Sequence, residues 1–263
     1  MIDMYVQHEP RHAQLAEFVE VLVREAVPWV EKVTGLPLPR PRFELVDIDG
    51  CATAYRAFVR RQLERDTAGM DLSGWDQTRI AAQQQGAEVV VRRAGLARKP
   101  VLVASSIGQP STLIVPEALG LQKLCETPGL LCDLLVRSLA QQAQVSAGSG
   151  RVVPPPQWPK IPEASHPVVQ LSRGHAQWTS SRVVREITGA DRPARRRPAR
   201  RIVRSVLAPV TGRRTARASA LVDQAVRVKG LASFNAVWHT AGLVPTHEEF
   251  RHPSRWIARM PPL

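Results

Sequence analysis

From Ala13 to Thr34 apolar residues recur at helical spacing, with Leu15, Phe18, Val19, Leu22 and Val23 gathered on one side. Gly35-Leu36-Pro37 ends the pattern, as a glycine–proline stop does for a helix. Arg42 to Asp49 carries Phe43, Leu45, Val46 and Ile48 and is expected to be a strand, closed by a turn at Asp49-Gly50. Helical patterns follow from about Ala52 to Asp66 and from Thr78 to Arg93. Two short β-rich runs, Val101-Leu102-Val103 and Leu113-Ile114-Val115, flank Gly108-Gln109-Pro110 and are expected to pair as a hairpin.

From Pro128 the pattern becomes that of a buried helix, reaching about Val145. Leu130, Leu131, Leu134, Leu135 and Leu139 form its apolar side, and Arg137, Ser138, Gln141 and Gln144 collect opposite them. Gly148 to Pro162 is Pro-rich and reads as a linker. Helical spacing resumes over His166 to Thr188, Ala216 to Val228 and Ala232 to His239, with a short helix at Pro253 to Met260. These elements predict one predominantly helical α+β domain over 1–263, its small sheet beside the Pro128–Val145 helix.

Composition narrows this only slightly. With 263 residues, 44% of them hydrophobic, the chain can bury a full core. No apolar run approaches the ~20 residues that span a bilayer, and residues 1–10 lack a basic start and apolar signal core, so a cytoplasmic protein is expected. Cys51, Cys125 and Cys132 are odd in number and scattered, which predicts buried reduced thiols. Trp178, Trp238 and Trp256 are expected as core anchors.

Charge is more local. The net charge is +13, and ten of the arginines lie between Arg192 and Arg217 with no acid among them. The Arg-rich loop near 192–217 makes Arg195, Arg196, Arg197, Arg200, Arg201 and Arg204 candidates for binding nucleic acid, an acidic partner or another polyanion. No aromatic interleaves them for base stacking. The 31 arginines against five lysines look like the bias of a GC-rich genome.

A literal HExxH stands at His8-Glu9-Pro10-Arg11-His12. Zinc chemistry needs its two histidines one turn apart on one helix face. Pro10 opposes that, because a helix here starts at the proline and leaves His8 outside.

Longer segments carry a resemblance. Val33-Thr34-Gly35-Leu36, Leu45-Val46-Asp47-Ile48-Asp49-Gly50 and Leu113-Ile114-Val115-Pro116 are followed by the helix Leu130 to Gln144. Ser172-Arg173-Gly174-His175-Ala176-Gln177-Trp178, Gly230-Leu231-Ala232-Ser233-Phe234-Asn235-Ala236-Val237-Trp238 and Pro253-Ser254-Arg255-Trp256-Ile257-Ala258-Arg259 complete the set. In this order they resemble the actinobacterial zincin-like metallopeptidases, a family labelled in part as hydrolases and as coenzyme F420 biosynthesis-associated proteins. The resemblance implies a zincin-like fold, with Leu130 to Gln144 in the place of the HExxH helix and Arg173 in the place of a third, acidic ligand.

The chain departs from that pattern at every position that would bind metal. Arg137, Ser138 and Gln141 fall where two histidines and a glutamate are implied, Arg173 replaces the acid, and only His175 survives. Arginine repels a cation, and neutral Gln and Ser are poor zinc ligands. The resemblance therefore implies a degenerate member without metal or cofactor, kept for binding or scaffolding. Its expected partner is a protein, an intact paralogue or a second copy of itself. The alternatives are a zinc-dependent hydrolase with an unforeseen site, or a basic module for polyanions. If Arg137, Arg173 and His175 converge, an anion or a carboxylate is the expected ligand.

Overall fold

The first apolar repeat becomes helix α1, Ala13–Thr34, which buries Ala16, Val19, Val23, Ala26, Val27 and Val30 and continues through Pro28. Gly35 caps it with φ 62° and donates its N–H to the Glu31 carbonyl. A Cβ there would lie 2.9 Å from Leu231 Cδ2, so glycine is required for both conformation and space. The structure is a computed structural model that describes residues 4–38, 40–95, 101–104, 109–121, 128–158, 166–189 and 208–262.

Four strands form one sheet: β1 (Tyr5–Gln7), β2 (Arg42–Leu45), β3 (Val101–Ala104) and β4 (Pro110–Ile114), in the order β1-β2-β4-β3. β2 runs parallel to both β1 and β4, and β3 is antiparallel to β4. The expected hairpin is present, with Val101 opposite Leu113. Strand β1 has no counterpart in the sequence reading.

Strand β2 is shorter than its apolar pattern. Val46 and Ile48 leave it because Asp47 caps the next helix, its carboxylate accepting the Gly50 N–H at 2.6 Å. Asp49-Gly50 is thus the first turn of α2 (Ile48–Thr67) and not a free turn. α2 packs against α3 (Gly74–Gly95), tied by Arg56–Glu88 at 3.1 Å and by Arg92–Asp49, with Glu88 also holding Arg92 from within α3. A short α4 (Pro116–Leu121) precedes α5 (Pro128–Ala147). Residues 148–158 follow without helix or strand, with Val152 and Val153 buried, and 159–162 lie outside the described residues.

The remaining helices are α6 (Pro167–Thr188), α7 (Ala208–Asn235) and α8 (Pro253–Arg259). Gly230 interrupts α7 with φ 77° and ψ 164°, which reproduces the break between the two apolar patterns there. Residues 208–217, the end of the Arg-rich range, belong to α7 and are helical. Arg195, Arg196, Arg197, Arg200, Arg201 and Arg204 lie outside the described residues.

Helix α5 is central, touching the sheet, α1 and α6. Leu131, Leu135, Val136, Leu139, Ala140 and Ala143 are fully buried along it. Gln142, also fully buried, binds the two central strands: its Oε1 accepts the Arg42 N–H of β2 at 3.0 Å, and its Nε2 donates to the Arg42 carbonyl and to Thr112 Oγ1 of β4 at 2.8 Å each. Gln142→Leu would keep the volume and strand those three groups. A loss of about 3 kcal/mol in urea-unfolding free energy is expected, with the midpoint shifted and the slope unchanged.

The fold is therefore predominantly helical α+β, with the small sheet beside α5. No described helix is long and apolar enough to cross a membrane. Cys51 and Cys132 are buried free thiols, and Cys125 lies outside the described residues. Burial pushes both thiols up to about 11, with Glu25 and Asp133 adding to the effect at Cys132.

Candidate functional site: the seam between α5 and α6

The polar side of α5 does not face water. It faces α6, which runs antiparallel to it, since Asp133 meets Ser180 while Gln144 meets Ser172. Ser138 is 4% exposed and Gln144 0%, so the seam is a buried polar layer that must satisfy its own hydrogen bonds. It does so in two clusters.

The first is built on Asp133, 3% exposed amid leucines. Its Oδ1 accepts from Ser180 Oγ at 2.5 Å and from Arg137 Nε at 3.2 Å. Arg137 is thus neutralised by its own helix, one turn back. Ser138 turns to the Leu134 carbonyl at 3.1 Å. Gln141 and Arg173 are half-buried.

The second cluster holds His175. Gln144 Nε2 donates to the Ser172 carbonyl at 3.2 Å and to His175 Nδ1 at 2.8 Å, while Ser172 Oγ donates to Gln144 Oε1 at 2.5 Å. A backbone carbonyl can only accept, which fixes the amide orientation and leaves Nδ1 as the acceptor. The ring proton of neutral His175 therefore sits on Nε2. That atom is buried without a conventional partner, among the rings of Trp178 (5.7 Å), Phe234 (5.2 Å) and Trp238 (5.2 Å). Complete burial lowers the pKa of His175 to about 3, so it is uncharged at neutral pH.

The positions Arg137, Arg173 and His175 do not build one anion site. His175 is sealed among aromatic rings, and Arg137 is held by Asp133. Nor do these residues fit zinc. The one bare nitrogen of His175 already accepts from Gln144, and its other nitrogen carries a proton. Among the described residues no group of three or more His, Cys, Asp and Glu is placed to hold a metal ion.

The literal HExxH at the start of the chain fails geometrically, as Pro10 implies. Pro10–His12 is a 3-10 turn, His8 lies outside it, and Glu9 pairs with Arg11 at 2.8 Å.

Gly174 completes the seam from behind. A Cβ there would lie 2.5 Å from Ala218 Cβ, 2.6 Å from the Ala218 carbonyl carbon and 2.9 Å from the Ser219 nitrogen. Helices α6 and α7 meet at backbone contact, and only glycine allows it. Trp178 then links the aromatic cluster outward: its Nε1 donates to Asp223 at 3.1 Å, and the Arg182 guanidinium lies 4.1 Å over its ring. Phe234 and Trp256 continue the cluster edge to face, and Trp256 Nε1 donates to the Leu243 carbonyl at 2.7 Å. All three tryptophans expected as anchors are buried.

Residues 172–257 match the sequence profile of a zincin-like metallopeptidase family. That stretch is a third of the chain; it opens at Ser172 and leaves α5 out. It contains the whole aromatic cluster, from His175 through Trp178, Phe234 and Trp238 to Trp256. The fold is similar to a crystal structure described as "a putative hydrolase with a novel fold from Chloroflexus aurantiacus". That likeness has a TM-score of 0.56 at 15% identity and covers 96% of this chain and 92% of the other. No curated protein matches the chain.

Asp133, Ser172 and Ser180, which hold the seam together, and Gln142, which ties α5 to the sheet, do not stand out in the sequence reading. Asp133 had a visible signal, as a lone acid inside an apolar run with an arginine four residues on. Ser172 and Ser180 had none, because their partners lie 28 and 47 residues away.

Proposed function

We propose that this protein is a catalytically inactive homologue of zincin-like metallopeptidases, retained for binding or scaffolding. The observation that carries the reading is the commitment of His175: one nitrogen accepts from Gln144 and the other is buried in a ring packed among aromatic side chains. A zinc hydrolase needs about three ligands and an open fourth position. Arg137 and Gln141 offer neither, and the guanidinium of Arg137 is already paired with Asp133. The hydrolase label of the structural neighbour concerns that protein, and a shared fold does not transfer chemistry.

The test is metal content together with activity. Protein exposed to zinc and then desalted is expected to retain far less than one equivalent, and to show no chelator-sensitive peptide hydrolysis. Stoichiometric zinc removed by a chelator, with activity lost alongside it, would overturn the proposal.

A further inference from the structure

The outward face of α1 is unlike the rest of this basic chain. Leu15, Phe18, Val21 and Leu22 follow one another along it, Val21 being 53% exposed, and the other three are half-buried. Gln14, Leu15, Glu17, Phe18 and Val21 line an open groove of about 630 Å³. Spacings of three, four and seven residues are those by which a helix presents anchors to a partner. Glu17, Glu20 and Glu25 rise from the same helix, and none of them has an ion-pair partner among the described residues. Exposed Arg24 shares that side with them, so in a chain of net charge +13 this is an apolar strip whose rim, three glutamates and one arginine, is net acidic.

The complementary chemistry is in the same sequence. Residues 200–207, outside the described residues, read Arg200-Arg201-Ile202-Val203-Arg204-Ser205-Val206-Leu207, with three arginines, four apolar residues and no acid. We propose that the α1 face binds this basic stretch of a second copy, so that the protein self-associates. Two copies related by a twofold axis would each give one stretch and take one, doubling the contact without any new surface. Apolar burial supplies affinity, and the Glu–Arg pairs supply register and salt dependence. This names the partner within the binding role proposed above and rests on that reading.

Sedimentation of the full chain at rising concentration, in low and in high salt, tests it. Dimers are expected at low salt, with a dissociation constant at least tenfold weaker at high salt. Val21→Lys, and Glu17→Arg with Glu20→Arg, should each leave a folded monomer by circular dichroism. Arg200→Glu, Arg201→Glu and Arg204→Glu together should do the same. Mixing the two charge-reversed proteins should restore pairing as a heterodimer, since both of its contacts are then complementary, and combining both sets in one chain should restore a homodimer. A monomer throughout, a dimer indifferent to the α1 substitutions, or no recovery in the combined variant would each overturn the proposal. An inactive monomer refutes this inference alone, and an active dimeric zinc hydrolase refutes the reading on which it rests.

Discussion

Gly174→Ala is expected to destabilise the protein by about 3 kcal/mol or more, as overpacking against fixed atoms does. The intuitive expectation is the reverse, since alanine is favoured over glycine inside a helix by about 1 kcal/mol. The sign is decided by what the new methyl meets. At Gly174 two of the three nearest atoms are backbone atoms of α7, at 2.6 and 2.9 Å, and no rotamer change can clear them. At Gly86, inside α3, nothing lies within 4 Å. Gly86→Ala should therefore stabilise the protein by about 0.5–1 kcal/mol. Paired urea melts of the two variants check both signs at once, and a stabilised Gly174→Ala protein would contradict the close α6–α7 crossing.

Acid should weaken the fold at a higher pH than the loss of the Glu249 carboxylate requires. His175 ordinarily titrates near 6.5, but burial holds it down to about 3. Between those values the unfolded chain takes up a proton that the folded chain refuses, so the unfolded state gains as pH falls. The stabilisation is complete above pH 6.5 and is lost at up to ~1.4 kcal/mol per pH unit toward pH 3. His166, lowered by burial and by His247, adds in the same direction. His175→Phe should flatten the slope between pH 6.5 and 5 without abolishing it. Glu249 acts later: its hydrogen bond from Arg259 lowers it to about 2 against a usual 4.5, so its contribution fades only below pH 4.5. Unfolding free energies measured from pH 8 down to about pH 2.5 separate the two. An unchanged slope in His175→Phe would count against a neutral buried ring.

The long helices were legible because they are strongly periodic: α1 and α6 end where the glycines at 35 and 189 stop the pattern. The start of α2 was misread because two local signals compete there, and the Asp47 cap outweighs the Asp49-Gly50 turn. Strand β1 is three residues long and has no period to detect. In the seam, helical spacing correctly put Arg137, Ser138, Gln141 and Gln144 on one face. It could not reveal that this face is buried, because a polar stripe looks the same against water as against another polar stripe. Much of the stretch that matches the metallopeptidase profile is held by packing. Gly174 is held by a helix crossing, and His175, Trp178 and Trp256 by an aromatic cluster, none of which requires a metal.

The two buried thiols give the molecule an internal clock. With values pushed up to about 11, roughly one in ten thousand molecules carries either thiolate at pH 7, and both sulfurs are shielded from reagents. Alkylation must then wait for the structure to open. Cys51 stands in α2 and Cys132 in α5, so the two report on different parts of the fold. Equal modification rates mean that α2 and α5 open as one unit, and a faster Cys51 means that the helical pair α2–α3 comes away while the α5–α6 seam stays closed.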